Sequence, residues 1–245
     1  MRNAMLADRA DRWLARLFPT RFRAMAPEGR HGRVGAPHLW RMQRVFQIDF
    51  LQRVGLAKQH QVLDLGCGTL RGGLPLIAYL SAGNYTGIDI RADIIEEALR
   101  ELEEARLEER YPRIGHVESL VDLDLRASYD FIWAFSVLMH LEDPELETAF
   151  AFAASHLRPD GTFYANVHLG DGRLGSWAGF PVLARPLDWY RARAHEAGLR
   201  ADALGRLCAL GHVSGDRNCD SQFMLRFRRA GGPTRSVDAR TSQQD

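Results

Sequence analysis

Asp64, Asp89, His140 and His168 are the side chains of this sequence whose types and spacing suggest a shared chemical site. Asp64 lies in the apolar run Val62-Leu63-Asp64-Leu65, and Gly66-Cys67-Gly68 follows at once, which predicts a buried strand ending in a tight turn. Two glycines around one small residue permit positive φ and leave no side chain between the main chain and a ligand. A helix is expected over 69–80, with its free N–H groups and positive dipole end directed at an anionic group. Asp89 ends the run Tyr85-Thr86-Gly87-Ile88-Asp89, about twenty residues after the turn, where a carboxylate can accept hydrogen bonds from both ribose hydroxyls. Strand, glycine turn, helix and acid together imply a nucleotide-type cradle.

Spacing narrows the nucleotide. A dinucleotide fingerprint needs a third glycine three residues after the second, and Arg71 holds that position. No Gly-Lys-Ser/Thr follows the turn, so a P-loop is excluded. Cys67 suits a small packing residue between the glycines better than a nucleophile. Arg71 is open to two readings, a ligand for an anionic group or a surface ion pair. His140 follows the apolar run 130–137 within one turn, and His168 ends the run 162–168. A histidine titrates near neutrality and can serve as a general base, so both are candidate bases, each beside a plain packing reading.

Four of these runs, in this order, resemble the motifs of class I S-adenosylmethionine (SAM) methyltransferases. Asp64-x-Gly66-x-Gly68 is similar to the first motif, and Tyr85-Thr86-Gly87-Ile88-Asp89 to the second strand with its ribose-binding acid. The run from Tyr129 to Ser136 resembles the fourth strand, and Leu157-Arg158-Pro159-Asp160-Gly161-Thr162-Phe163-Tyr164 the turn into the fifth. The resemblance covers roughly residues 39–228 and implies an α/β, Rossmann-like three-layer sandwich. Its sheet would be mostly parallel and seven-stranded, with an antiparallel last strand. It implies SAM as cofactor, held by Asp64, Gly66, Cys67, Gly68, Arg71, Asp89, Ile90, Phe135 and Ser136, with Glu118 or Ser119 meeting the adenine amino group. The activity implied is methyl transfer to a small-molecule or sugar acceptor, with O-methylation the favoured form. A non-catalytic scaffold of the same fold and a nicotinamide-dependent reductase are the alternatives, the glycine spacing counting against the second.

Composition agrees with such a domain. The 245 residues are 46% hydrophobic and 26% charged, with a formal net charge of +1, which argues against a general nucleic-acid binder. Three cysteines without metal spacing suggest a reduced, cytoplasmic setting and no metal site. No run reaches the length of a membrane span. Residues 1–36 are expected to form a basic amphipathic arm, open to packing on its own domain, a partner, or peripheral membrane contact. Residues 37–229 are the expected SAM-binding domain, and 230–245 a disordered tail.

The elements that must position the site follow in order. A helix over 37–54 is stopped by Gly55, and Gln43 and Gln47 on it are expected to be structural rather than cofactor contacts. Asp93 and Glu96 form a capping box for a helix over 94–110, leaving Asp89 free for a ligand. Strands are expected over 114–120, 130–137 and 162–168, and a helix begins at Asp143-Pro144. Residues 170–185 form a long loop, read as a substrate lid carrying Trp177 and Phe180. A helix over 186–197 and two antiparallel strands near 204–210 and 222–228 complete the chain.

Overall fold

The computed structural model describes residues 32–231. Most of the expected arm and nearly all of the expected tail lie outside the described residues. Among the described residues no helix is long and apolar enough to cross a membrane.

The run after Gln61 forms β1 (Val62–Leu65), buried along its whole length, as a strand covered on both faces must be. β2 (Tyr85–Asp89) pairs parallel on one side of it and β4 (Tyr129–Ala134) on the other. β3 (Arg113–His116) adds beyond β2, and β5 (Leu157–Leu169) beyond β4, both parallel. β9 (Phe223–Arg229) then runs antiparallel between β5 and β8 (Leu199–Arg206). The central order is therefore β3-β2-β1-β4-β5-β9-β8, seven strands with the last one antiparallel to its neighbours.

Alternate strand residues feed two cores. Val62, Phe131 and Trp133 face one cluster with Phe46 and Phe50 of α1 (Trp40–Arg53), Leu74 of α2 (Gly73–Tyr79) and Ala98 of α3 (Ala92–Ala105). Leu63, Ile132 and Phe163 face the other, with Phe150 of α4 (Asp143–His156) and Tyr190 of α5 (Leu187–Glu196). Helices on both faces of one sheet make the three-layer sandwich.

Several boundaries differ from expectation for identifiable reasons. The helix expected from residue 69 begins at Gly73, because Gly68 at φ 55° and Leu70 at φ 60° hold the chain in the left-handed region through the turn. Only seven residues are helical, so the cradle rests on the turn and not on a helix dipole. Asp93 does not cap α3: the cap position is Arg91, without a side-chain bond, and the helix ends at Ala105 rather than 110. α4 likewise has Glu142 at its cap position, with Asp143 as first helical residue. The third strand is four residues, shorter than expected. β5 starts at Leu157, running through Pro159-Asp160-Gly161 with a register shift against β4; a Cβ on Gly161 would lie 2.8 Å from the Tyr129 carbonyl oxygen. β8 begins at Leu199, immediately after Gly198 at φ 77°, and ends at Arg206, so residues 207–210 are a 3-10 turn and not strand.

The largest difference is the expected lid. Residues 170–185 are mainly a β-hairpin, β6 (Gly172–Trp177) and β7 (Phe180–Arg185), and β7 pairs parallel to the end of β5 through His168↔Ala184 and Leu169↔Arg185. A nine-stranded sheet results. The glycine-rich composition that suggests a loop instead supplies the positive φ of Gly170, Gly172 and Gly179 around and within the hairpin.

Candidate functional site

A cavity of about 170 Å³ opens at the carboxyl ends of β1, β2 and β4, the position where open α/β sheets bind ligands. Its floor is the glycine turn. The N–H groups of Gly66 and Cys67 both donate to the Ile88 carbonyl, at 2.8 and 3.1 Å, tying the turn to the end of β2. Gly66 has φ 73°, and a Cβ there would come within 2.5 Å of Val137 Cγ2. Only glycine satisfies both constraints.

Asp89 is oriented by backbone donors. Its Oδ2 accepts the Gly68 N–H and its Oδ1 the Arg91 N–H, both at 3.0 Å. A carboxylate offers about four lone-pair sites, so each oxygen keeps capacity for a hydroxyl donor in the cavity. Burial raises its pKa, opposed by those N–H groups. The expectation that Asp89 is free because Asp93 caps α3 is thus corrected in its reason: Asp89 braces both the turn and the helix entry. Asp64, below the turn, is buried and accepts the Tyr85 hydroxyl at 2.7 Å. Burial pushes its carboxyl up to about 7 against that bond, with Asp89 adding to the rise.

Arg71 lines the same cavity, 8% exposed, between the rings of Trp40 and Phe135 at 5.9 and 5.8 Å. One terminal nitrogen donates to the Val34 carbonyl at 3.0 Å, and Nε is buried without a partner. Arg71 is thus no surface side chain, and no carboxylate pairs with it among the described residues. Burial lowers its pKa to about 10, leaving it cationic at neutral pH. Thr69 Oγ1 is a second buried orphan on the cavity wall.

Cys67 is buried, its thiol raised well above the ordinary value by burial, in keeping with packing rather than nucleophilic chemistry. Ile90, Phe135 and Ser136 also line the cavity. Gln47 reaches it as well, although its Oε1 accepts the Trp133 indole N–H at 2.8 Å and packs on Gly72. Gln43 is buried and absent from the lining. Glu118 and Ser119 are exposed and do not line the cavity, where Val117 and Leu120 stand instead. Because β3 ends at His116, the alternation expected of a longer strand does not carry through to 118 and 119.

The two histidines separate. His140, on a 3-10 turn after β4, lines the cavity; its Nδ1 lies 2.8 Å from the Pro181 carbonyl oxygen of the hairpin, and burial lowers its pKa. His168 does not line it, and its Nε2 faces the Gln222 amide at 3.2 Å. Asn166, next to it, uses its Oδ1 to accept the Ser136 N–H at 2.7 Å, fixing the turn after β4. Val34, Val137 and Leu141 were not singled out in the sequence, where an isolated aliphatic residue carries no signal of a cavity.

Sheet order, the antiparallel β9 and a glycine turn facing an acid at the end of β2 define the class I methyltransferase fold. Residues 62–161 match the family model described as methyltransferase domain. The matched segment holds the glycine turn, Asp89 and β4 of the site. Similar solved structures include the glycopeptide N-methyltransferase MtfA, at TM-score 0.59 and 15% identity over 76% of this chain and 90% of that one. Magnesium protoporphyrin IX methyltransferase from Synechocystis PCC 6803 gives 0.59 and 19%, covering 78% and 84%. The CcbJ methyltransferase from Streptomyces caelestis gives 0.58 and 17%, covering 81% and 92%.

Proposed function

We propose that this protein transfers the methyl group of SAM to an oxygen of a small molecule, with sugars among the possible acceptors, in the cytoplasm. The observation that carries the oxygen assignment is the presence of His140 in the same cavity as Asp89, with Nδ1 held on a carbonyl and Nε2 without a partner among the described residues. An oxygen acceptor must lose a proton as it attacks, and a neutral imidazole of lowered pKa is a suitable base. Three free cysteines suit a reducing compartment.

The cofactor fits the donors present. The SAM carboxylate is matched by the cationic Arg71, which pairs with no carboxylate among the described residues, and by the orphan Thr69 hydroxyl, and its ribose by the spare lone pairs of Asp89. SAM supplies an electrophilic methyl on a sulfonium. The chain's own task is orientation: the Gly66-Cys67-Gly68 turn admits the ligand's approach, Asp89 fixes its rotation, and Phe135 with Ser136 bounds the side next to His140. Holding two reactants in line can contribute roughly 7–11 kcal/mol. Similar solved structures include a glycopeptide N-methyltransferase and a magnesium protoporphyrin IX methyltransferase, which supports methyl transfer without fixing the acceptor.

Calorimetric titration with SAM, S-adenosylhomocysteine and NADH tests the reading. Micromolar binding of the two adenosyl ligands, lost in Asp89→Ala, and no binding of NADH is the expected result. A folded protein that binds neither adenosyl ligand would overturn it.

A further inference from the structure

We propose that the hairpin end of the cavity is the acceptor subsite and that it takes a flat, largely apolar compound bearing a hydroxyl, a phenol in chemical class, in preference to a sugar. This rests on the methyl-transfer reading above.

The cavity has two unlike ends. Asp64, Thr69, Arg71, Asp89 and Arg91 gather at the glycine turn. Leu141, Trp177 and Phe180 stand at the hairpin, with His140 bonded to its Pro181 carbonyl as the titratable side chain among them, and Val137 packs between this end and Gly66. The cofactor's polar groups match the first end, which leaves the second for the acceptor.

Trp177 and Phe180 are register partners flanking the hairpin turn. β6 is exposed from Gly172 to Ser176, and only its last residue, Trp177, turns inward. Neither aromatic joins either core cluster, yet both line the cavity. The Trp177 ring lies 5.6 Å from the His140 ring at 39°. An aromatic wall beside the base suits a planar ring presenting its hydroxyl to Nε2. A sugar would bring several hydroxyls to this end, and each one buried without a partner opposes binding.

Acidity points the same way. A phenolic hydroxyl has a pKa near ~10, as in tyrosine, well below that of a sugar hydroxyl. A weak imidazole base is better matched to the more acidic proton. In the transfer, the acceptor O–H proton passes to His140 Nε2 while the oxygen lone pair forms the new O–CH₃ bond. The electron pair of the breaking S–CH₃ bond stays on sulfur, converting the sulfonium to a neutral thioether, and the imidazolium returns its proton to solvent.

The test titrates 7-hydroxycoumarin, 1-naphthol and methyl α-glucopyranoside by calorimetry into the full chain saturated with S-adenosylhomocysteine. The expected result is binding of the two phenols, weakened about tenfold or more in Trp177→Ala and in Phe180→Ala through lost aromatic contact, with S-adenosylhomocysteine affinity unchanged. His140→Gln is expected to retain phenol binding and lose methyl transfer to it. Tighter binding of the glucoside, or S-adenosylhomocysteine binding without any phenol binding, would overturn the inference and leave the methyl-transfer reading standing. A folded chain that binds no S-adenosylhomocysteine would remove both.

Discussion

Nδ1 of His140 donates to the Pro181 carbonyl oxygen across 2.8 Å, joining the turn after β4 to a hairpin 41 residues further on. A carbonyl only accepts, so the proton of the neutral ring sits on Nδ1 and the lone pair on Nε2. The hairpin therefore sets the tautomer of the proposed base as well as the wall beside it.

His140→Gln is expected to lower kcat roughly 100- to 10,000-fold, the usual contribution of a positioned general base, with S-adenosylhomocysteine affinity intact. His168→Gln, at a ring that faces Gln222, should lack that effect. Burial holds His140 below its ordinary 6.5, so the base form persists to mildly acid pH and kcat/KM should fall only below that value. The His168 ring is the titratable neighbour that senses its charge. A pH profile with its acidic limb above 6.5, or one unchanged in His140→Gln, would remove His140 from the role.

Asp89→Ala should weaken S-adenosylhomocysteine roughly 100-fold or more, since hydrogen bonds to a charged group contribute ~1.5–3 kcal/mol each and two hydroxyls are at stake. The same change strips the Gly68 and Arg91 N–H groups of their acceptor. Asp89→Asn, which keeps one acceptor oxygen, is expected to fall between. Equal affinities for all three proteins in calorimetry would place the ribose elsewhere.

Much of this frame was legible because short-range rules set it. The buried run 62–65, the two glycines and the acid closing 85–89 follow from apolar runs and backbone freedom, and they meet in the structure through the parallel register of β1 and β2. The family motifs supplied the order of the strands. What local pattern lacked was long-range contact. Nothing near Pro181 marks its carbonyl as the partner of His140, and nothing near Val34 announces that it takes a bond from Arg71. The segment 170–185 looked like a loop because glycines mask strand character, and its pairing with β5 is decided 16 residues upstream at His168↔Ala184. Glu118 and Ser119 were placed by family register, which the early end of β3 shifts.

Gly66→Ala tests the turn. The added Cβ would meet Val137 Cγ2 at 2.5 Å on a backbone at φ 73°. Left-handed geometry for a non-glycine residue costs ~1–2 kcal/mol and overpacking ~1–3 kcal/mol, so the urea midpoint should drop and cofactor binding with it. Gly83→Ala is a useful contrast, since φ is 81° there with no atom within 4 Å of the new Cβ. Strain alone should cost less, and the cofactor affinity should survive. A Gly66→Ala protein as stable as the wild type would show that the turn can relax away from Val137.

Asp64 links stability to pH with an unusual sign for a carboxylate. Its native pKa is raised from 3.8 to about 7 by burial, despite the Tyr85 hydroxyl that favours the ionised form. Between those values the native protein holds a proton that the unfolded chain has released, so this group makes stability fall as pH rises. The slope approaches ~1.4 kcal/mol per pH unit where the difference is a full proton. Above about 7 both states are ionised and the penalty is constant. Asp64→Asn retains an acceptor for Tyr85 and carries no charge, so its stability relative to the wild type should increase from pH 5 to 7 and then level. Urea denaturation of the two proteins at half-unit steps from pH 5 to 8 measures this difference directly, with all other titrating groups common to both. A difference flat across the range would mean that Asp64 is ionised throughout, and the carboxylate would then stand as a second fixed negative charge facing Arg71 beneath the cofactor.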